Sequence, residues 1–323
     1  GAPGDRYVAY HRARARSGFA MQITGATPVA PSSLWDPRWM LVNRDESIVP
    51  GYRRLAEAVH AEGGRMLAQL MHPGAAEVGI PDVVSASVHV AELSRQPARA
   101  ITPAEMDEVV ERYHAAADRC RRGDLDGVEV PIAWGYLLGS FVSPLMNRRD
   151  DEYGGSLQNR MRLPLELFTA MRAAWPADKP MGMRVSATDW MPGGWTPEET
   201  VVLARELKAL GCDYLDVSSG GLDPSAKIPL APGYQVPFSA KVRQEAGIPT
   251  MTVGLITEPA QAEAIVASGE ADLVALGRGA LWNPRFAWHA AEALGAEAPY
   301  APKMMACHPK LRPQVFPNRA TPA

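Results

Sequence analysis

Short runs of β-branched and apolar residues alternate along the chain with longer stretches in which apolar positions recur every three to four residues. This is the rhythm of repeated β–α units and a parallel sheet. The short runs predict strands over 19–25, 65–72, 127–132, 181–187, 214–219, 249–254 and 273–277. Helical spacing predicts helices over 7–16, 50–62, 103–121, 157–175, 197–210, 237–246, 259–268 and 284–293. Three of these helices open on Thr102-Pro103, Thr196-Pro197 and Asn283-Pro284. Proline suits the first turn, whose N–H lacks an intrahelical partner, and the preceding hydroxyl or amide can cap it. Gly63, Gly123, Gly211, Gly247 and Gly269 stand where helices end.

Eight helices around a parallel sheet predict the α/β class and a (β/α)8 TIM barrel over residues 1–295, followed by a C-terminal tail, 296–323. Only seven strands are read. The eighth is expected before Tyr7 and is absent from the given N-terminus, or is supplied by another segment such as 315–323 (VFPNRATPA); an extended surface tail is the competing reading of that stretch.

Composition narrows the partners. At 323 residues one large domain is expected, and a net charge of −3 with 21% charged residues gives no footprint for nucleic acid or an anionic membrane. A small-molecule partner is expected. The three cysteines (Cys120, Cys212, Cys307) fit neither a disulfide framework nor a CxxC metal site, which points to a reducing compartment. No apolar run is long enough for a membrane helix, and the N-terminus has no apolar signal core, so a cytoplasmic location is expected. The chain begins at Gly1, which reads as a processed or trimmed start.

In such a barrel the chemistry sits at the C-terminal ends of the strands. Gly254 and the pair Gly277-Arg278 follow the last two predicted strands, where barrels often hold a phosphate with backbone N–H groups and a cation. A phosphorylated cofactor is one reading; a turn with a surface arginine is the other. Arg184 is an arginine inside an otherwise apolar strand, which is costly unless it serves a site.

The segments LAQLMHPG (67–74), DGVEV…GYL…FVSPLMNRRDDEYGGSLQNRMR (126–162), MRVSA (183–187), DVSSGG (216–221), PGYQVPFSAKVR (232–243) and ADLVALGRGALWNP (271–284) resemble the old yellow enzyme family of FMN-dependent oxidoreductases, closest to its smaller bacterial ene-reductase branch. The resemblance implies FMN, with NAD(P)H as reductant, and hydride transfer to an activated alkene. It implies that Ala26 and Gln69 contact the isoalloxazine, Gln69 offering both donor and acceptor. It implies that Arg184 sits beside flavin N1, and that Gly254, Gly277 and Arg278 hold the phosphate. The loop 143–160 is expected to brace the barrel through Asn147, Arg148, Asp150, Asp151, Glu152 and Tyr153, with Gly154-Gly155 turning and Ser156 capping. The tail carries Arg312, Gln314 and Arg319 and somewhat resembles tails that insert an arginine into a neighbour's site, which points to a homo-oligomer.

The chain departs from the family where the substrate is anchored. The two polar residues that hold the substrate carbonyl at the end of the fourth strand are here Pro131 and Trp134; Tyr136, the family's proton donor, is retained. None of the seven histidines falls in that pair, and the family's first-strand residues beside flavin N5 are missing from the given chain. His72 ends a strand and either faces the pocket or braces the strand end. Losing one oxyanion-type donor costs on the order of 10²- to 10³-fold. Three readings follow: a weakened or re-specialised ene-reductase, an FMN-dependent amine-type dehydrogenase or oxidase, and a non-catalytic flavin-binding or degenerate barrel.

Overall fold

The computed structural model describes residues 1–30, 40–78, 80–90, 95–298, 300 and 306. Helix α1 (Asp5–Arg16) leads into β1 (Met21–Ile23) and the two-residue β2 (Thr27–Pro28), and α2 (Val49–His60) precedes β3 (Arg65–Met71). Three short strands follow, β4 (Val84–Ser85), β5 (His89–Val90) and β6 (Pro97–Ala100), and then α3 (Pro103–Arg122) and β7 (Gly127–Ile132). Beyond them come α4 (Leu137–Val142), α5 (Leu157–Ala174), β8 (Met181–Ser186), α6 (Pro197–Ala209), β9 (Tyr214–Ser218) and α7 (Val236–Ala246). The described chain finishes with β10 (Thr250–Thr252), α8 (Pro259–Ala267), β11 (Leu273–Val274), α9 (Arg278–Trp282) and α10 (Phe286–Ala293).

All seven predicted strands are present and pair in chain order, β1-β3-β7-β8-β9-β10-β11, every pair parallel. This curled parallel sheet inside a ring of helices is the (β/α)8 barrel architecture. The strands read as largely apolar runs because both faces are covered, interrupted by single polar residues such as Gln69, Glu129, Arg184 and Asp216 on the inner face. Met66, Ala68, Leu70, Val128, Val130, Ile132, Met183, Val185, Leu215 and Val217 pack outward in the main core, while Leu67, Tyr214 and Met251 cluster on the inner face with Met21, Ile23 and Ala275. At the two ends of the ladder, α1 lies along the turn before α10: Ser17 Oγ donates to the Pro284 carbonyl at 2.7 Å and Arg14 Nη2 to that of Ala280 at 3.3 Å.

The expected caps form at Thr102 and Thr196, each in a reciprocal capping box with the glutamate three residues on. The third does not. Asn283 Oδ1 accepts from the Arg285 N–H at 3.2 Å, a local turn that competes with capping, and α10 starts two residues late, at Phe286. A sheet not foreseen in the sequence, β4-β6-β5, rises beside the strand ends. Among the described residues no strand precedes Tyr7, and no helix is long and apolar enough to cross a membrane. The tail residues Arg312, Gln314 and Arg319 and the stretch 315–323 lie outside the described residues.

Candidate active site

Strand register stacks the inward side chains into layers. Gln69 on β3 is partnered by Glu129 on β7, Glu129 by Gly182 on β8, and Gly182 by Tyr214 on β9. One layer higher, Pro131 on β7 is partnered by Arg184 on β8 and Arg184 by Asp216 on β9. The lower layer closes because residue 182 is glycine: a Cβ there would lie 2.3–2.6 Å from the Tyr214 ring. With that space free, the Tyr214 hydroxyl donates to Glu129 Oε2 at 3.1 Å while Gln69 Nε2 donates to Glu129 Oε1 at 2.7 Å. Gln69 therefore keeps its carbonyl oxygen and one N–H for a ligand.

Arg184 has a partner. Its Nη1 lies 3.2 Å from Asp216 Oδ2, Asp216 is 1% exposed, and the Trp134 ring lies 4.5 Å from the guanidinium carbon. Two polar atoms of this ion pair, Arg184 Nε and Asp216 Oδ1, are buried with no hydrogen-bond partner among the described residues. Burial raises the Asp216 carboxyl above its ordinary value and Arg184 pulls it back. Trp134 adopts a left-handed backbone, φ 55°, and packs edge-on to Tyr136 with ring centroids 5.6 Å apart. Burial pushes the Tyr136 phenol up, with Arg184 opposing, so it holds its proton at neutral pH. Tyr136 and Ala26 both pack on the pair Met71 and Ala76, which brings the β1 turn to the same wall.

His72 stands apart from this group. It lines a cavity of about 260 Å³ with Arg99, Glu105, Glu108 and Arg112, between α3 and the small sheet, and neither Trp134 nor Tyr136 lines it. Its Nδ1 accepts the Gly74 N–H at 3.1 Å, so the ring braces the strand end. Its pKa falls to about 4 through burial and then the Arg112 charge.

The rim at the ends of β10 and β11 carries the predicted phosphate residues. Gly254 has φ 137°, a conformation that L side chains rarely adopt, and its carbonyl accepts from the Gly233 N–H at 2.7 Å. Ser219 Oγ donates to Gln235 Oε1 at 2.8 Å and Gln235 Nε2 to the Val253 carbonyl at 3.0 Å, which fixes the β10 turn to the end of β9. Among the described residues, the backbone N–H groups of Gly254, Gly277 and Arg278 donate to no backbone carbonyl, and the exposed Arg278 side chain has no hydrogen-bond or ion-pair partner. Free N–H groups on two adjacent turns with a cation beside them fit a phosphate. With the unpartnered Arg184 Nε and the spare Gln69 amide groups, the donor set fits a flavin mononucleotide.

The loop 143–160 braces as expected. Asn147 Nδ2 donates to the Phe141 and Tyr153 carbonyls at 2.7 and 2.8 Å, and Ser156 accepts from the Asn159 N–H. Arg149, not singled out in the sequence, reaches the Ala86 and Ile101 carbonyls, both at 2.9 Å. Sequence reasoning also passed over Glu129 and Asp216. The signal that marked Arg184, an ionisable residue in an apolar strand, is present at both.

Residues 1–297 match the family described as NADH:flavin oxidoreductase / NADH oxidase. An NADPH dehydrogenase of Geobacillus sp. (strain WCH70) is 40% identical over 287 residues, 88% of this chain and 83% of that protein. A 2-naphthoyl-CoA reductase bound to 2-naphthoyl-CoA superposes with a TM-score of 0.83 at 28% identity over 92% of this chain, which spans about half (48%) of that longer chain. Morphinone reductase in complex with tetrahydroNAD superposes with a TM-score of 0.76 at 26% identity, covering 92% of this chain and 83% of that one.

Proposed function

Because the chain belongs to the NADH:flavin oxidoreductase / NADH oxidase family and is an FMN-dependent NAD(P)H oxidoreductase, we propose that it passes hydride through FMN to an activated, enone-type alkene. The observation that carries this reading is the grouping of Gln69, Arg184 and Tyr136 at one barrel mouth, with Arg184 Nε a buried donor that has no partner among the described residues. When bound, FMN supplies the ring that takes hydride from NAD(P)H and gives it up. Gln69 and the Ala26 turn orient that ring, and Gly254, Gly277 and Arg278 hold its phosphate. Arg184 sets a fixed positive charge where negative charge accumulates on reduction. Tyr136 holds a proton on its phenol oxygen for the carbon next to the acceptor carbonyl. Trp134, over Arg184 and against Tyr136, makes the mouth apolar and excludes water where the family places a hydrogen-bond donor. The substrate is accordingly a flat, conjugated molecule held more by its faces than by its carbonyl, and NADPH is the favoured reductant. Family membership speaks against the non-catalytic alternative.

The test is spectral. Purified protein should carry about one FMN per chain, be bleached by NADPH under anaerobic conditions, and be reoxidised by a cyclohexenone-type acceptor. Reduced protein that no conjugated alkene reoxidises, while an amine donor reduces the oxidised form, would replace this reading with the amine dehydrogenase.

A further inference from the structure

Glu129 takes no part in the chemistry above, yet it is the most completely enclosed ionisable group under the mouth, at 0% exposure. The groups facing it come from three neighbouring strands: Gln69 on β3, Arg184 on β8, and Tyr214 and Asp216 on β9. One guanidinium therefore serves two buried carboxylates, and its contact is with Asp216. The amide and the phenol can orient Glu129 but cannot neutralise it. An unpaired buried carboxylate is strongly disfavoured, so this layer has a reason to hold a proton on Glu129. Burial and then the Asp216 charge push its carboxyl up to about 7, with Arg184, Gln69 and Tyr214 opposing.

We propose that Glu129 is a positioning residue for the cofactor site: it orients the Gln69 amide and takes up a solvent proton when negative charge is added above Arg184. The proposal rests on the FMN reading. Hydride transfer from NAD(P)H brings two electrons and one proton and leaves NAD(P)⁺, so the site gains one negative charge. That charge competes with Asp216 and Glu129 for Arg184. With its share of the cation reduced, the fraction of Glu129 that is still ionised near neutrality binds one proton from solvent, the second proton the site gains on reduction, and the charge is balanced. Oxidation returns that proton to solvent.

The midpoint potential of the FMN-loaded full chain is measured against pH for the wild type, E129Q and Y214F. For a two-electron couple each proton taken up changes the equilibrium tenfold per pH unit, about 30 mV. Wild type should show one proton more in its slope through neutrality than E129Q, whose amide cannot titrate. Y214F deletes only one of the hydrogen bonds that favour ionised Glu129, so it should move the break to higher pH without erasing it. Equal slopes in wild type and E129Q, each with FMN bound, would overturn the proposal. If E129Q does not fold, a Y214F break at the wild-type pH overturns it in the same way. A wild-type chain that binds no FMN sinks the FMN reading instead and the proposal with it. Carboxyl ¹³C NMR of glutamate-labelled protein keeps the two failures distinct: Glu129 titrating in the ordinary carboxylate range rejects the proposal whether or not FMN binds.

Discussion

Installing two hydrogen-bond donors at positions 131 and 134 gives the sharpest handle on the proposed reaction. The double variant P131H/W134H places two imidazoles at the β7 end, one of them at the cross-strand partner of Arg184 and the other on the residue beside Tyr136. One local cost and two local gains bear on stability. Removing the Trp134 ring from Arg184 forfeits about 1 kcal/mol of cation–π attraction. Histidine tolerates the left-handed backbone at 134, φ 55°, better than a bulky indole does, which offsets part of that. At 131 the change restores a backbone N–H that strands between two neighbours normally donate. The net effect on stability should stay within about 2 kcal/mol. The catalytic gain is larger: one oxyanion donor is worth about 2.7–4 kcal/mol, and two acting as a unit do not simply add, so a rise of roughly 10²- to 10³-fold is expected. Stopped-flow reoxidation of the reduced flavin by cyclohexenone reads this directly. If the variant binds FMN one to one and its reoxidation rate stays within about threefold of the parent, the missing pair was not what limits alkene reduction.

Two further expectations follow from the structure. R278A removes the exposed cation beside the free N–H groups at the ends of β10 and β11; if these hold the FMN phosphate, loss of a charge-assisted bond of about 1.5–3 kcal/mol should weaken FMN binding roughly 10- to 100-fold by fluorescence titration; an unchanged affinity would remove Arg278 from the site. His11, 5% exposed and held through Nδ1 to Gln22 at 2.9 Å, is pulled down to about 4, chiefly by burial. Its folded pKa lies below the unfolded value, so its contribution is whole above about pH 6.5 and is lost as pH falls towards 4, about 3 kcal/mol in all. Urea unfolding across that window should show the decline in wild type and a shallower one in H11N; identical slopes would contradict it.

Where the chain's own periodicity carried information, the fold was legible. The seven barrel strands announce themselves because each is a short, largely apolar run bounded by turn residues, and Thr102 and Thr196 mark their helices with a hydroxyl, a proline and a glutamate at fixed spacing. The small sheet was not legible, since two-residue strands such as β4 and β5 have no period to detect. The site was legible in part. Gln69, Arg184 and Tyr136 do gather at one mouth, but the left-handed turn at Trp134 that lays its indole over Arg184 depends on tertiary packing that nothing local in AWGY announces. Gly182 reads as an ordinary strand residue until the ring of Tyr214, 32 positions away, is seen filling its place.

The arginine that escaped notice in the bracing loop has a mechanical meaning. Arg149 grips the carbonyls of Ala86 and Ile101, the Ser87 hydroxyl accepts from the Arg148 N–H at 2.9 Å, and Ser140 Oγ accepts from the Ala86 N–H at 3.0 Å. The small sheet and the loop after β7 are thus fastened to each other at four points. Prising them apart breaks two charge-assisted bonds, on the order of 3–6 kcal/mol, so fewer than about one molecule in a hundred has them separated at any moment. The small sheet and the loop after β7 therefore move as one rigid piece, and a substitution at Arg149 should loosen both together.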